Sequence, residues 1–223
     1  QPVTRERIAL LIENHVQYTF MNIEQIERFY SAFYPKWNKE AYYELMRKLK
    51  VAPKQKISRM SCGQRSQVAL GLILAQNADL LVLDDFSIGL DPGYRRLFTE
   101  YLREYAKAEE KTIFLTSHII QDMERLVDDC IIMDYGRILI QKPVKELLDT
   151  FTRYTFKISS PDKLPHDPSL YSTAAIRDSA ETYSFENEEH IKQILQEQSI
   201  PYTDFKSEKM NLEDVFIGLT GKY

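Results

Sequence analysis

Two cysteines, Cys62 and Cys130, are all that the 223 residues contain, and their separation fits neither a disulfide framework nor the short spacings of metal-binding motifs. A reducing, cytoplasmic setting is therefore expected. Long apolar runs are also missing. Gln67 to Val82 is the nearest approach, broken by Gln76, Asn77 and Asp79, whereas a membrane-crossing helix needs about 20 predominantly apolar residues. Any membrane role is then expected to pass through a partner. No charged, apolar and small-residue series of a signal peptide opens the chain. Basic residues are not in excess, since the formal net charge is −4, so charge does not point to nucleic acid. Internal repeats and low-complexity runs are lacking. Finally, no G-x-x-x-x-G-K-[ST] phosphate loop occurs in the sequence.

What is present is the composition of an ordinary soluble protein, 43% hydrophobic and 28% charged, enough to bury the core of one large domain and a smaller one. The first residue is Gln1, and Ile8-Ala9-Leu10-Leu11-Ile12 reads at once as a buried strand with no earlier element to pair with. The expectation is a C-terminal part of something longer.

From Asn22 to Lys50 apolar and aromatic residues recur at helical spacing: Ile23, Ile26, Phe29, Tyr30 and Phe33, then Tyr42, Leu45, Met46 and Leu49. Pro35 separates two helices, and Asn38 is the expected N-cap of the second. Tyr34, Trp37 and Tyr43 add aromatic surface that either packs these helices together or docks a partner. Ser61 is expected to cap a third helix, Gly63 to about Gln76. Leu80 to Leu83 and Thr112 to Thr116 read as strands, Tyr94 to Glu109 and Ile119 to Val127 as helices, and Cys130 to Asp134 with Arg137 to Ile140 as a hairpin around Tyr135-Gly136. This alternation predicts a parallel sheet covered on both faces. After Leu148 the character changes. Thr152 to Ile158 is a predicted strand, Ser159 to Ser169 a loop, and strands Thr182 to Phe185 and Tyr202 to Phe205 with helices from Glu188 to Gln198 and after Asn211 make a small α+β appendage. The division expected is 1–150 and 151–223.

The chemistry lies in three places. Leu80-Leu81-Val82-Leu83-Asp84-Asp85 runs four apolar residues into two acids at the C-terminal edge of a parallel sheet, where open α/β folds bind ligands. Asp84 can hold Mg2+ through its water shell, and Asp85 can act as general base or orient water in phosphoryl transfer. Ser61-Cys62-Gly63-Gln64 stands where a turn becomes a helix, so backbone N–H groups and the positive end of the dipole face an approaching anion. His118 follows a strand at the same edge. Taken singly, these are an ordinary strand end, a serine cap and a helix-start histidine; their order, with Gly89-Leu90-Asp91-Pro92 between, is harder to explain that way.

With those residues in view, the chain resembles the ATP-binding subunits of ABC transporters. Met60-Ser61-Cys62-Gly63-Gln64 resembles the signature motif, Leu80 to Asp84 Walker B, Gly89-Leu90-Asp91 the D-loop, and His118 the switch histidine. The resemblance implies a P-loop NTPase-like parallel sheet with an inserted helical subdomain (about 20–76), whose N-terminal, Walker A-bearing part is absent. It also implies ATP and Mg2+ as cofactors, with Asp85 and His118 catalytic. Ser61, Cys62, Gly63, Gln64 and Asp91 would meet ATP across a head-to-tail dimer of nucleotide-binding subunits, and Asp84 would face the metal. Glu13 falls where the family places a Gln that contacts metal and attacking water. Phe33-Tyr34-Pro35-Lys36-Trp37 and Asn211 to Phe216 look like exporter-type subunits, which pair with a separate permease at the inner face of the membrane.

Three departures stand out. Asp85 replaces the usual Glu and is one methylene shorter, setting its carboxylate on the order of 1 Å back. Cys62 replaces a glycine. The Walker A loop is absent, and with it the backbone N–H nest and lysine that hold phosphate. Two other readings follow: a non-catalytic regulatory nucleotide-binding subunit, and the C-terminal lobe of a chromosome-maintenance ATPase. The insert between Glu13 and Ser61 is short and lacks the sustained heptads that the latter requires.

Overall fold

The computed structural model describes residues 4, 6–12, 18–48, 52–160 and 163–221. The chain forms two compact units, one running to Asp122 and the other starting at Met123.

In the first unit, strands β1 (Ile8–Leu11), β2 (Leu80–Asp84) and β3 (Thr112–Thr116) form a parallel sheet in that order. The registers place Leu10, Val82 and Phe114 in one row and Asp84 opposite Thr116. Side chains alternate between faces along a strand. Ala9, Leu11, Leu81 and Leu83 are buried on one face, while Ile8, Leu10 and Phe114 on the other are 40%, 47% and 54% exposed. The expectation of a sheet covered on both faces, and of a fully buried first strand, is thus corrected to one covered face among the described residues.

The helical insertion between β1 and β2 comprises α1 (Ile23–Ser31), α2 (Lys39–Lys48), a single 3-10 turn (Ile57–Arg59) and α3 (Cys62–Ala75). Asn22 caps α1 through a capping box with Gln25, and the Asn38 side chain accepts from Ala41 N–H at 3.0 Å, as its sequence position suggests. Leu49 lies outside the described residues. Every residue of α3 from Gln67 to Ala75 is buried, which makes this helix the axis on which the others pack. A Cβ at Gly71 would stand 2.8 Å from Met46 and 3.1 Å from Tyr42, so glycine lets α2 come close. Tyr42, fully buried, donates its hydroxyl to the Ile23 carbonyl at 3.1 Å, and burial holds its phenol far above the ordinary range. The two ends of the insertion are tied by Ile57 N–H to Met21 C=O and Ser58 N–H to Thr19 C=O. After β2 come α4 (Pro92–Ala108), then β3 and the short α5 (Ile120–Met123). The helix predicted to run to Val127 stops early because Leu126 and Val127 N–H both turn back to the Met123 carbonyl.

The second unit begins with the hairpin β4 (Asp129–Asp134) and β5 (Arg137–Pro143), whose turn residues Tyr135 and Gly136 both have positive φ. Helix α6 (Val144–Thr150) leads into a four-stranded antiparallel sheet of β6 (Thr152–Ile158), β7 (Leu170–Ile176), β8 (Ser179–Ser184) and β9 (Tyr202–Lys209), in the order β7-β8-β6-β9. Phe156, Ile158 and Ala180 pack with Leu195 of α7 (Glu188–Glu197) and Ile200. Gly218 of α8 (Leu212–Thr220) fits against the Tyr183 and Phe151 rings, where a Cβ would come within 3.0 Å of either.

Replacing Tyr42 by Phe removes the buried hydroxyl but keeps the ring. Urea unfolding should show a loss of about 1 kcal/mol with unchanged denaturant slope.

Candidate functional site

The site grows from the end of β2. Asp84 is the last residue of that strand, and Thr116, its neighbour on β3, donates its hydroxyl to Asp84 Oδ1 at 2.6 Å. Asp85 then leaves the sheet with φ 47°, a left-handed conformation that aspartate tolerates better than most side chains. Its N–H donates to both the carbonyl (3.2 Å) and the hydroxyl oxygen (3.1 Å) of Thr116. One threonine therefore fixes both acids. With its backbone held this way, the Asp85 carboxylate meets His118 Nδ1 at 3.0 and 3.2 Å. A carboxylate is an acceptor, so Nδ1 carries the proton in this pair and Nε2 is left to face outward. The imidazole side chain is 63% exposed against 28% for Asp85, which lets the ring reach a ligand while the acid stays sheltered.

The loop after Asp85 is a chain of tight turns. Ile88 N–H donates to Asp85 C=O, Leu90 N–H to Ser87 C=O, and the Asp91 carboxylate accepts from the N–H of Gly93 and Tyr94, capping α4. Phe86 and Ser87 are buried and anchor the loop.

Against this loop lies the tip of α3. Ser61 Oγ accepts from Gln64 N–H at 3.2 Å while Ser61 N–H donates to Gln64 Oε1 at 3.1 Å, a complete capping box. The first-turn N–H groups of Cys62 and Gly63 stay at the positive end of a 14-residue helix. A Cβ on Gly63 would lie 3.3 Å from the Gly89 carbonyl oxygen, so helix tip and loop are in contact.

Of the residues expected at the site, Asp84, Asp85 and His118 meet at one sheet edge. Cys62 and Gly63 meet the loop through Gly89 and Leu90, with Ser61 and Gln64 paired to each other beside them. Asp91 sits at the end of the same loop as the cap of α4. Glu13 lies outside the described residues. Sequence reasoning missed Thr116, although its place at the end of a strand two residues before His118 was the available signal.

A parallel sheet that collects acids and an imidazole at its C-terminal edge, beside a capped helix tip, is an α/β arrangement of the kind that binds ligands at that edge. Solved structures agree on the fold. An ATP-binding subunit of an ABC transporter superposes with a TM-score of 0.57 at 23% identity, over 66% of this chain and 63% of that one. A structure described as a cobalt transport ATP-binding protein (cbiO-2) gives 0.55 at 19% identity, over 82% and 66%. No protein-family model matches the chain. In sequence it is 30% identical over 174 residues to the Nod factor export ATP-binding protein I of Ralstonia nicotianae, covering 74% of this chain and 54% of that protein. It is 39% identical over 89 residues to the energy-coupling factor transporter ATP-binding protein EcfA2 of Staphylococcus aureus, covering 40% and 31%. The chain is a relative of the ATP-binding subunits of ABC transporters, and it spans about half the length of these relatives or less.

The Ser61 cap is open to direct measurement. Ser61→Ala should cost about 1 kcal/mol in urea unfolding, and Ser61→Asp should restore nearly all of it.

Proposed function

We propose that this chain belongs to an ATP-binding and ATP-hydrolysing subunit that drives a membrane permease by nucleotide-dependent dimerisation. The observation that carries the reading is the pairing of Asp85 with His118 beside Asp84 at the C-terminal edge of the sheet. Asp84, held by Thr116, is the carboxylate that faces the cation. Mg2+ commonly binds through one or two carboxylates together with substrate phosphates and water, so a single aspartate of this kind fits it, with Glu13 as the second carboxylate. The bound ion would supply neutralisation of phosphate charge. Asp85 accepts a proton from, or orients, the attacking water, and His118 donates to the terminal phosphate through Nε2–H when both ring nitrogens carry a proton.

The Ser61-Cys62-Gly63-Gln64 tip and Asp91 serve a second, head-to-tail subunit, closing over the nucleotide it holds. Closure in that pair would be passed on through α1 and α2. The aromatic cluster around α1 supports a docking role: Phe20 and Phe33, on either side of that helix, are 66% and 64% exposed, and Phe29 packs against Phe33 and Tyr18 at 5.2 and 4.8 Å between ring centroids. Among the described residues no helix is long and apolar enough to cross a membrane. The likeness to transporter ATP-binding proteins supports a peripheral position on the cytoplasmic side, held there by the permease. Residues 1–150 act as the nucleotide-binding part and 151–223 as an accessory domain.

A regulatory, non-hydrolysing subunit is the second reading, favoured by the short Asp85 carboxylate already engaged by His118. Two measurements decide. Without a Walker A loop, ATP should half-saturate this chain on the order of 1 mM or above; saturation at micromolar ATP would overturn the idea that its own site lacks the phosphate cradle. In the complete protein, Asp85→Glu should raise turnover by about tenfold or more, whereas absence of hydrolysis in both forms would establish the regulatory reading.

A further inference from the structure

A cysteine and a glycine interlock where the α3 tip meets the loop into α4. A Cβ built on Gly89 would lie 2.8 Å from Cys62 Sγ and 3.6 Å from Cys62 Cβ, and Gly89 has φ 75°. Real atoms do not approach so closely, so the Cys62 side chain fills the space that residue 89 leaves by being glycine. The next residue extends the contact: a Cβ on Gly63 would stand 3.3 Å from the Gly89 carbonyl oxygen and 3.7 Å from Leu90 Cδ2. Elsewhere the loop is held at its ends, by buried Phe86 and Ser87 on one side and by the Asp91 cap on the other. Gly89 between them is exposed and has the conformational freedom of glycine.

We infer that Cys62 is a positioning residue. Its side chain wedges the Gly89-Leu90-Asp91 segment to the tip of α3, so that the Ser61-led helix end and this loop move as one body. The inference rests on the nucleotide role proposed above and extends it to how two nucleotide-facing segments of one subunit are kept in register. The thiol acts through its volume, as a small apolar group on a backbone. Serine at position 62 retains most of that volume, and glycine removes it. The departure from glycine at this place in the signature motif thereby becomes a contact within the subunit.

Hydrogen exchange of the whole chain, read peptide by peptide, tests this without nucleotide. Cys62→Gly should speed exchange across Ile88 to Asp91 by about tenfold and leave Val68 to Ala75 unchanged, while Cys62→Ser should keep the native rate. Native exchange in Cys62→Gly, or equal acceleration in the serine and glycine variants, would overturn the wedge. A second variant guards against a general loss of structure. Gly89→Ala should lower the urea midpoint more in the native background than in Cys62→Gly, because only the former retains the clashing sulfur; equal shifts count against the contact. In the complete protein, ATP with Mg2+ should protect the helix tip and the loop together in the native form and the tip alone in Cys62→Gly. If ATP protects neither segment in the native form, the nucleotide reading fails on its own, since the exchange and urea results do not depend on it.

Discussion

Parallel pairing of β2 with β3 sets Asp84 opposite Thr116, and the geometry of the candidate site depends on that register. Thr116 donates to one acid and receives the backbone N–H of the next, so the chain leaves the sheet in a left-handed turn at Asp85 rather than continuing as strand. A slip of one residue would send every side chain of β2 to the other face. It would also take the hydroxyl away from Asp84 and leave His118 with no carboxylate to orient it. Register here is specified by burial, because Leu81 and Leu83 must lie on the covered face with Ala9 and Leu11. Packing of the core thus places the polar edge.

The helix tip depends on packing in the same way. Nothing in the Ser61 capping box fixes where α3 points; that is set by its buried length from Gln67 to Ala75, by Gly71 against Met46 and Tyr42, and by Tyr105 donating to the Leu74 carbonyl. Helix α1, which packs against α3, is flanked by the exposed rings of Phe20 and Phe33. A force applied at that surface therefore acts on a close-packed body that carries the Ser61 tip, which is what the proposed coupling to a membrane partner requires.

Much of this was legible in the sequence because the signals were local. Asn38 and Ser61 cap helices where they were expected to, and the apolar run ending in Asp84 is a strand with its acids at the edge. Strand β7 was missed because its alternation is broken: the register shifts between Tyr171 and Ala174, and Ser172 has φ 44°. Thr116 was read only as a strand end, since its two hydrogen bonds go to residues more than thirty positions away. The contact of Cys62 with Gly89 was invisible for the same reason. In the sequence Cys62 stands out only as a departure from glycine, with no sign of what lies beside it.

The short acid at position 85 looks at first like a defect of reach, and the backbone qualifies that view. With φ at 47°, Asp85 directs its carboxylate from a turn, so the missing methylene is not simply subtracted from the distance to a phosphate. What the geometry fixes is the partner: His118 lies at hydrogen-bond distance from both carboxylate oxygens. A longer Glu at this position would have to fold back to keep the imidazole, while Asp keeps it with its ordinary reach. The substitution therefore favours the acid–imidazole pair over extension toward a water. In the proposed site, how firmly that pair is held therefore bears on the choice between the hydrolytic and the regulatory reading alongside the length of the side chain.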